Sequence, residues 1–515
     1  MARSLTASLE RTSTAATLWA NLVRAAAMFA LLFLVFYNLA EWPLTWFDEG
    51  SHLHVPKTLV RYGVYADYSS EGFRHYGPTI GVGPTVMLPV AAAFQLFGIG
   101  LLQARVVMAL FLLAAVAAFF ALARTLGNAS VAWAATALLV ATRAISLLEF
   151  GRQVLGEVPG LFFMLAGLAV WFAAWERAGW GRLIGAGVLL GLAMVTKQQY
   201  LLVVGPALLA AWVLNLIWHR SAPQRVFLAP GIVSGVCFAL WQAVLIVALG
   251  PATTADNLAQ YRAFTSGAAL VFSIDLMQRG LIELIRPSVF VWLLFPALIY
   301  GVKLSLPRTA HGHRWATLFV LVLWNLAWYI VASVSWIRYA FPALAVASLF
   351  IAQWVYDWSG GFKVEWEAAR RLSVPALARF GLLLWAVFAI IGPVALTARE
   401  IIQPPANAPR AMAEYMNANV PQSEVIETWE PEMGFLTDHN YHFPPQILLN
   451  TAVRYVWQNG APPAAEYDFV QTTGPRYVLV GNFSRWVQMY PEALLAHYHL
   501  ETEIGGYRLY ARNAQ

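Results

Sequence analysis

Long apolar runs separated by short polar clusters fill most of the chain up to about residue 400. A helix of roughly 20 apolar residues is long enough to cross the hydrocarbon core of a bilayer. We place about eleven such runs, at residues about 25–43, 105–125, 130–148, 157–175, 183–196, 200–218, 226–250, 288–303, 316–334, 339–357 and 380–397. The pattern therefore predicts an α-helical polytopic membrane protein with about eleven transmembrane helices.

Lys and Arg residues are concentrated in alternate loops between these runs, which the positive-inside rule places in the cytoplasm. The N-terminal tail, with Arg3, Arg11 and Arg24, lies on the same side. The loop residues that set this orientation are Arg177, Arg182, Arg220, Arg225, Lys303, Arg308, Arg314, Lys363, Arg370, Arg371 and Arg379. The charge pattern predicts a cytoplasmic N-terminus.

The segment at about 44–104 decides this topology. Its apolar run from Pro84 to Gly98 has about 15 residues, a length typical of interfacial segments rather than of spans. If it crossed, the basic loop at Arg177 and Arg182 would become external. We therefore expect 44–104 to form one large first external loop with interfacial helices.

From about Pro404 the pattern changes to short runs typical of strands. Val425 to Thr428, Tyr477 to Val480 and Tyr507 to Tyr510 are predicted strands, and Ala493 to His497 is predicted as part of a helix. The last apolar span exits to the outer face. The chain is thus expected to divide into a membrane domain, 1–403, and a small soluble α/β domain, 404–515, on the outer face.

Composition agrees with a membrane protein, since 59% of the 515 residues are hydrophobic and 12% are charged, with a mean hydropathy of +0.59. The net charge of +6 follows from the loop clusters, so no nucleic-acid partner is expected. The single cysteine, Cys237, excludes a disulfide framework and a cysteine-based metal site. Because Glu41-Trp42-Pro43 follows the first run in place of a small-residue cleavage site, that run is expected to be retained.

The strongest candidate for chemistry is Phe47-Asp48-Glu49-Gly50, directly after the first span. Two carboxylates at headgroup depth can supply a general base. A solvated acidic turn is the alternative interpretation. The same two side chains could hold a divalent ion, although no complete ligand set is visible, and no cofactor is expected.

Further polar residues are predicted at the same outer rim. They are Arg74-His75-Tyr76, Arg152, Glu157, Lys197 and Arg338. Cations beside carboxylates suit a reaction with an anionic lipid head group, because they stabilise a departing phosphate. As alternatives, Lys197 and Arg338 could be interfacial snorkelling residues, Arg152 could pair with Glu157, and His75 could be an ordinary loop histidine.

In these motifs the chain resembles the membrane-embedded GT-C glycosyltransferases, in particular the bacterial branch related to protein O-mannosyltransferases and to aminoarabinose transferases of lipid A. The matching positions are Phe47 to Gly50, Tyr76 to Pro84, Leu96 to Gly98, Arg152 to Pro159, Gly191 to Lys197 and Arg338 to Pro342. The first loop departs from the pattern, since many relatives have His or Lys followed by two prolines where this chain has Arg74-His75-Tyr76-Gly77-Pro78.

The resemblance implies a sugar donor carried on a polyprenyl phosphate and an inverting transfer at the periplasmic face of a bacterial inner membrane. It implies Asp48 as catalytic base with Glu49 beside it, and functional roles for Glu157 and Lys197. From the residues we add Lys197, Arg338 and Arg152 as donor-phosphate contacts. Glu157, Arg74, His75 and Tyr76 are predicted to bind substrate.

Several alternatives stay open on the sequence. The acceptor could be a protein, a lipid or a polysaccharide, and the C-terminal domain could bind it or cap the site. The rival function is a transporter of a lipid or small solute, which would need polar residues along a path near mid-membrane. Few polar residues are predicted there, among them Asn215, Gln242 and Asn325.

Overall fold

The computed structural model describes residues 2–75, 81–286, 292–364 and 373–513. Up to residue 402 these residues are mainly helical. The helices are α1 Ala2–Phe36, α2 Phe47–Tyr62, α3 Pro84–Phe97, α4 Leu101–Leu126, α5 Ala129–Ala141, α6 Leu147–Phe150, α7 Glu157–Ala174, α8 Trp180–Thr196, α9 Leu201–Leu214, α10 Arg225–Phe264, α11 Ile274–Ile285, α12 Leu294–Ser305, α13 Ala310–Ala332, α14 Phe341–Trp358 and α15 Val374–Ile402. Strands β1 Asp67–Ser69 and β2 Gly72–Arg74 form a hairpin between α2 and α3.

Within the described residues, seven helical segments are long and apolar enough to cross a membrane, and five shorter apolar helices accompany them. The outer surface of the bundle is itself apolar: Val247 of α10 is 84% exposed and Ile391 of α15 is 62% exposed. Such a surface is stable against lipid and not against water. The chain is an integral membrane protein, as the apolar pattern predicts.

The bundle has two ends that differ in charge, and we call the end where α2 begins the Asp48 end. The basic loops lie at the opposite end. There Trp218 donates to the carbonyl of Leu306 over 3.1 Å, and Arg314 donates to Glu176 over 3.0 Å. Together these contacts bring the loops after α7, α9 and α12 to that end of the bundle.

The first loop begins and ends at the Asp48 end. The amide of Gly83, just before α3, donates to the carbonyl of Thr196 over 2.9 Å. Beyond α3, Arg105 at the start of α4 pairs with Glu49 of α2. Because both flanks of α3 lie at the same end of the bundle, α3 does not cross it.

Close packing of α8 against α10 explains two of the four glycines of α8. A Cβ on Gly187 would press on Val233, and one on Gly191 would press on Cys237, whereas Gly185 faces open space. Small residues let helix backbones approach each other in a bundle. Gly187 and Gly191 are therefore packing positions, whereas Gly185 is not.

Several element ends differ from the predicted ones. Helix α5 ends at Ala141 and not near 148, because the backbone of Thr142 is extended. Ser146, which has a positive φ, directly precedes the short helix α6. The segment at 251–286, which follows the predicted span 226–250, continues α10 past a non-helical Gly250 and then forms α11. The first residues of the predicted span at 288–303 lie outside the described ranges.

Beyond Gln403 the described chain forms a mixed sheet with short helices. The elements are α16 Ala408–Asn419, β3 Val425–Thr428, α17 Pro431–Leu436, β4 Asn440–His442, α18 Leu448–Gln458, α19 Phe469–Thr472, β5 Tyr477–Val480, α20 Asn482–Trp486, α21 Glu492–Leu495, β6 Tyr498–Ile504 and β7 Tyr507–Arg512. The strand order is β4-β3-β5-β7-β6, with β3 parallel to β4 and β5, and β7 antiparallel to β5 and β6. The small α/β region is therefore present, while a domain boundary at 404 stays a prediction.

The C-terminal region packs directly on α2. A Cβ on Gly434 of α17 would collide with the ring of His54, and one on Gly50 would collide with the backbone of Glu432. Lys57 of α2 donates to the carbonyls of residues 434, 435 and 437 over 2.8–3.1 Å. The helix that carries Asp48 is thus held between the membrane helices and the sheet region.

Candidate active site

Asp48 and Glu49 occupy the first turn of α2, where the helix dipole favours negative side chains. Consecutive helical residues point about 100° apart. The two carboxylates therefore face different surroundings, and the structure separates a pair that the sequence treats as one motif.

Glu49 points into the bundle. It is fully buried, and its two oxygens accept hydrogen bonds from Arg105 Nε and Nη2 over 2.9 and 2.6 Å. The amide of Val154 adds a third bond, over 3.1 Å. The pair joins α2 to α4 and to the loop before α7. Glu49 therefore holds these elements together and does not line the cavity described below.

Asp48, Arg338, Glu157 and Lys197 form one chain of charged contacts. Arg338 Nη1 donates to Asp48, Arg338 Nε donates to Glu157 Oε1, and Lys197 Nζ donates to the same oxygen. The side chain of Asp48 is 26% exposed, whereas that of Glu157 is fully buried. Of the two carboxylates, Asp48 is the one that an incoming molecule can reach.

Short breaks in the helices place these side chains. Arg338 lies in a 3-10 turn, Ile337–Ala340, between α13 and α14, with its guanidinium 5.1 Å from the ring of Trp336. Lys197 lies between α8 and a second 3-10 turn, Gln198–Tyr200, in extended backbone. Glu157 begins α7, so its charge is also favoured by the helix dipole.

A cavity of about 1500 Å³, counting its open mouth, lies beside this charged chain. Asp48, Lys197 and Arg338 line it, and most of the remaining wall is apolar or aromatic. The wall comes from both parts of the molecule, since α18 and α20 of the C-terminal region face membrane-helix residues across it. An anionic head group with an apolar tail fits such a site.

His52 also lines the cavity, one helical turn after Asp48, and it was missed at the level of sequence. Its Nδ1–H donates to the carbonyl of Val154 over 2.8 Å, which leaves Nε2 as the unprotonated nitrogen of a neutral ring. Burial lowers the pKa of His52, so the neutral form is favoured. The sequence did carry one signal for His52: it follows Asp48 by four residues, a spacing that places two side chains on the same face of a helix.

Arg152 does not reach the cavity. Its guanidinium donates to the backbone carbonyls of Trp42, Leu34 and Tyr37 and is fully buried. These are carbonyls at and after the end of α1, where helix carbonyls lack intrahelical partners. The structure thus uses Arg152 to cap α1, outside the cavity that holds Lys197 and Arg338, and the alternative pair with Glu157 is not formed.

Arg74 and His75 lie in the first loop beside the C-terminal region. Arg74 Nε donates to Asp67 over 3.0 Å, and its guanidinium lies 4.8 Å from the ring of Phe443. Burial would raise the pKa of Asp67, but His54 and Arg74 lower it to about 2. His75 is exposed. Tyr76 lies outside the described residues, so its predicted contact is not described.

Within the described ranges, no three or more His, Cys, Asp or Glu side chains are placed to hold a metal ion. Glu49 would be a poor ligand, because Arg105 and Val154 already bond both of its oxygens. The site as arranged can position an anion between Lys197 and Arg338 and can offer Asp48 to a proton donor.

The fold, a helical membrane bundle whose charged residues meet at one end beside a small mixed sheet, is similar to that of solved GT-C-type glycosyltransferases. Residues 82–246 match a family model described as dolichyl-phosphate-mannose-protein mannosyltransferase. No curated protein sequence matches the chain.

Two solved structures illustrate the likeness. The chain is similar to ArnT from Cupriavidus metallidurans bound to undecaprenyl phosphate, with a TM-score of 0.64, 16% identity and coverage of 97% of this chain and 99% of that one. It is also similar to the oligosaccharyltransferase AglB from Archaeoglobus fulgidus in complex with an inhibitory peptide and a dolichol-phosphate, with a TM-score of 0.54, 13% identity and coverage of 94% and 74%. The predicted resemblance is confirmed at the level of the fold.

Proposed function

We propose that this protein is an inverting glycosyltransferase that moves one sugar from a polyprenyl-phosphate carrier to an acceptor hydroxyl. The observation that carries the proposal is the meeting of Asp48, Lys197 and Arg338 at the mouth of one largely apolar cavity. ArnT, of the same fold, binds undecaprenyl phosphate. The carrier tail suits the apolar wall, and its phosphate suits the two cations.

Asp48 is the proposed general base. It removes the proton of the acceptor hydroxyl while the hydroxyl oxygen attacks the anomeric carbon of the donor sugar. The bond from that carbon to the phosphate oxygen breaks, and the phosphate leaves with the electron pair. Attack from the face opposite the phosphate inverts the anomeric centre. Because Asp48 is the more exposed of the two carboxylates that Arg338 joins, it is the better placed for this step.

Lys197 and Arg338 are the proposed phosphate contacts. A guanidinium carries five N–H groups, and Arg338 uses Nε for Glu157 and Nη1 for Asp48. It can therefore add a phosphate contact while Glu157 still holds it in place. Charge that develops on the leaving phosphate is stabilised by cations already fixed in position.

The proposed location is a bacterial inner membrane with the site on the periplasmic face. The basic loops at the end opposite Asp48 support this orientation through the positive-inside rule, which also puts the N-terminus in the cytoplasm. The C-terminal region, 404–515, would then be periplasmic. Since α18 and α20 form part of the cavity wall, we assign this region to acceptor binding, with protein, lipid and polysaccharide acceptors all open.

Transport is less well supported. Two of the polar residues predicted near mid-membrane have backbone partners: Asn215 donates to the carbonyl of Ala222, and Asn325 donates to that of Tyr339. Side chains satisfied in this way hold helix ends and do not form a path. The clustering of charge at one end favours surface chemistry over translocation.

Replacing Asp48 by Asn tests the proposal. The amide cannot take up the hydroxyl proton, so sugar transfer by the purified protein should fall by about 10²–10⁴-fold. The purified protein is added to native membranes, which supply donor and acceptor, and the glycolipids and glycans formed are measured by mass spectrometry. Asp275→Asn, an exposed first-turn residue of α11, is the matched control and should leave transfer unchanged. Full transfer by Asp48→Asn would refute the assignment.

A further inference from the structure

Gln199 lies in the wall of the cavity, and its side-chain amide has no hydrogen-bond partner. It lies in the 3-10 turn that follows Lys197 and lines the same wall. Within the described part of the chain, both Nε2 and Oε1 are buried and neither has a hydrogen-bond partner. A buried polar group without a partner is costly, so such groups point to a ligand or to ordered water.

The chemistry of the amide selects the kind of ligand. Nε2 can only donate and Oε1 can only accept. A phosphodiester only accepts hydrogen bonds, so it would leave Oε1 unsatisfied. A sugar hydroxyl both donates and accepts, and two neighbouring hydroxyls can bond both amide atoms at once. Gln199 therefore fits the sugar better than the phosphate.

Aromatic rings line the same cavity. Phe483 and Trp486 of α20, Trp457 of α18 and Phe47 of α2 contribute partly exposed faces, and Phe47 stacks on Phe483 with ring centroids 3.8 Å apart. The C–H face of a sugar ring packs on such surfaces, which are apolar and rigid. An amide for the hydroxyls and rings for the C–H face together form a surface suited to a sugar.

The position of Gln199 close to Lys197 in the chain indicates that this sugar is the one carried by the donor. Two residues span at most about 7 Å, so the Cα atoms of Gln199 and Lys197 lie about one sugar length apart. In the donor the transferred sugar is bonded directly to the phosphate that Lys197 is proposed to hold. We propose that Gln199 is a specificity-determining residue that hydrogen-bonds hydroxyl groups of the transferred sugar. This inference rests on the proposed function and adds that Gln199 contacts the sugar part of the donor.

The test separates binding of the sugar from binding of the carrier. The full chain in lipid nanodiscs is titrated with undecaprenyl phosphate and with undecaprenyl phosphate carrying glucose, mannose, galactose or 4-amino-4-deoxyarabinose. For the wild type, at least one sugar should tighten binding relative to the bare carrier. In Gln199→Met, which keeps the length but removes the hydrogen bonds, that advantage should fall by about tenfold or more. The affinity for undecaprenyl phosphate should stay within about twofold.

The control is Gln103→Met, since Gln103 is a partly exposed glutamine at the start of α4 that does not line the cavity. It should behave as the wild type does with every probe. An unchanged sugar advantage in Gln199→Met, or no sugar advantage in the wild type, would overturn the inference. Failure of the wild type to bind undecaprenyl phosphate would count instead against the proposed function. Unchanged carrier affinity in the variant also shows that it is folded.

Discussion

One oxygen of Glu157 accepts hydrogen bonds from both Lys197 and Arg338. Glu157 is fully buried, and Arg338 is only 4% exposed. Two cations held this close together repel each other unless a carboxylate lies between them, and breaking such a buried set by removing one partner is strongly destabilising. Glu157 therefore sets the position of the cations and competes with any phosphate for them.

Neutralising Glu157 should separate these two effects. In Glu157→Gln the cations lose their counter-charge, so the affinity for undecaprenyl phosphate should rise by roughly threefold or more while the unfolding free energy falls by about 3 kcal/mol. Titration in nanodiscs and thermal unfolding measure the two quantities.

Glu283→Gln, which removes the partner of Arg286 in an i,i+3 pair, is the control for the loss of one charge. It should change neither quantity appreciably, because surface pairs contribute little. Weaker carrier binding by Glu157→Gln would contradict the placement of phosphate at Lys197 and Arg338.

At the residue scale, the sequence indicated which charged residues lie at the Asp48 end of the bundle but not which contacts each one makes there. Charged residues near the ends of apolar runs are costly, and so Asp48, Glu157, Lys197 and Arg338 were visible as candidates. The rotation of α2, which turns Asp48 to the cavity and Glu49 inward, depends on packing that no local pattern encodes. The roles of Arg152 at the end of α1 and of Gln199 beside Lys197 depend on tertiary contacts in the same way.

At the element scale, the contact between α2 and α17 links the site to the C-terminal region. Asp438 lies 3.0 Å from Lys57 and 2.9 Å from Arg61. The hydrogen bond from Arg61, with the charge of Lys57, lowers the pKa of Asp438 to about 2 from 3.8. Its contribution to stability is therefore present above pH 3.8 and lost as the pH falls toward 2.

Adding one methyl group at this contact should disturb it. In Gly434→Ala the new Cβ collides with the His54 ring, so the contact should weaken by about 1–3 kcal/mol. Hydrogen exchange at the backbone amides of residues 48–58 and 431–438 should become faster, and sugar transfer should fall. Gly181→Ala is the control, because its Cβ would enter open space in α8. Unchanged exchange in both segments would show that α2 does not depend on α17.

The strands that were predicted and those that were missed differ by position in the sheet. Strands β3, β5 and β7 are flanked on both sides, and their apolar residues made them visible. Strands β4 and β6 are the two edges of the sheet. Edge strands carry polar residues that discourage further pairing, as in the alternation Glu501-Thr502-Glu503 of β6. Their apolar pattern is therefore weak, and the pairing of β6 with β7 also shifts register between Leu500 and Thr502.

At the scale of the whole molecule, apolar length predicted a helical membrane bundle, because a backbone in lipid must satisfy its own hydrogen bonds and therefore forms helices. The cavity was not predictable in this way. Its wall combines α2, the turn before α14, α18 and α20, which are far apart in the chain. Such a surface exists only once the sheet region lies on the bundle.

The location of the carrier phosphate tests the central claim most directly. A cryo-electron microscopy structure of the full chain with undecaprenyl phosphate should show the phosphate in the cavity, within about 4 Å of Lys197 Nζ and the Arg338 guanidinium. Asp48 should lie beside it and the polyprenyl chain against the apolar wall. A phosphate bound at the opposite end of the bundle, among the basic loops near Arg220 and Arg308, would contradict the account.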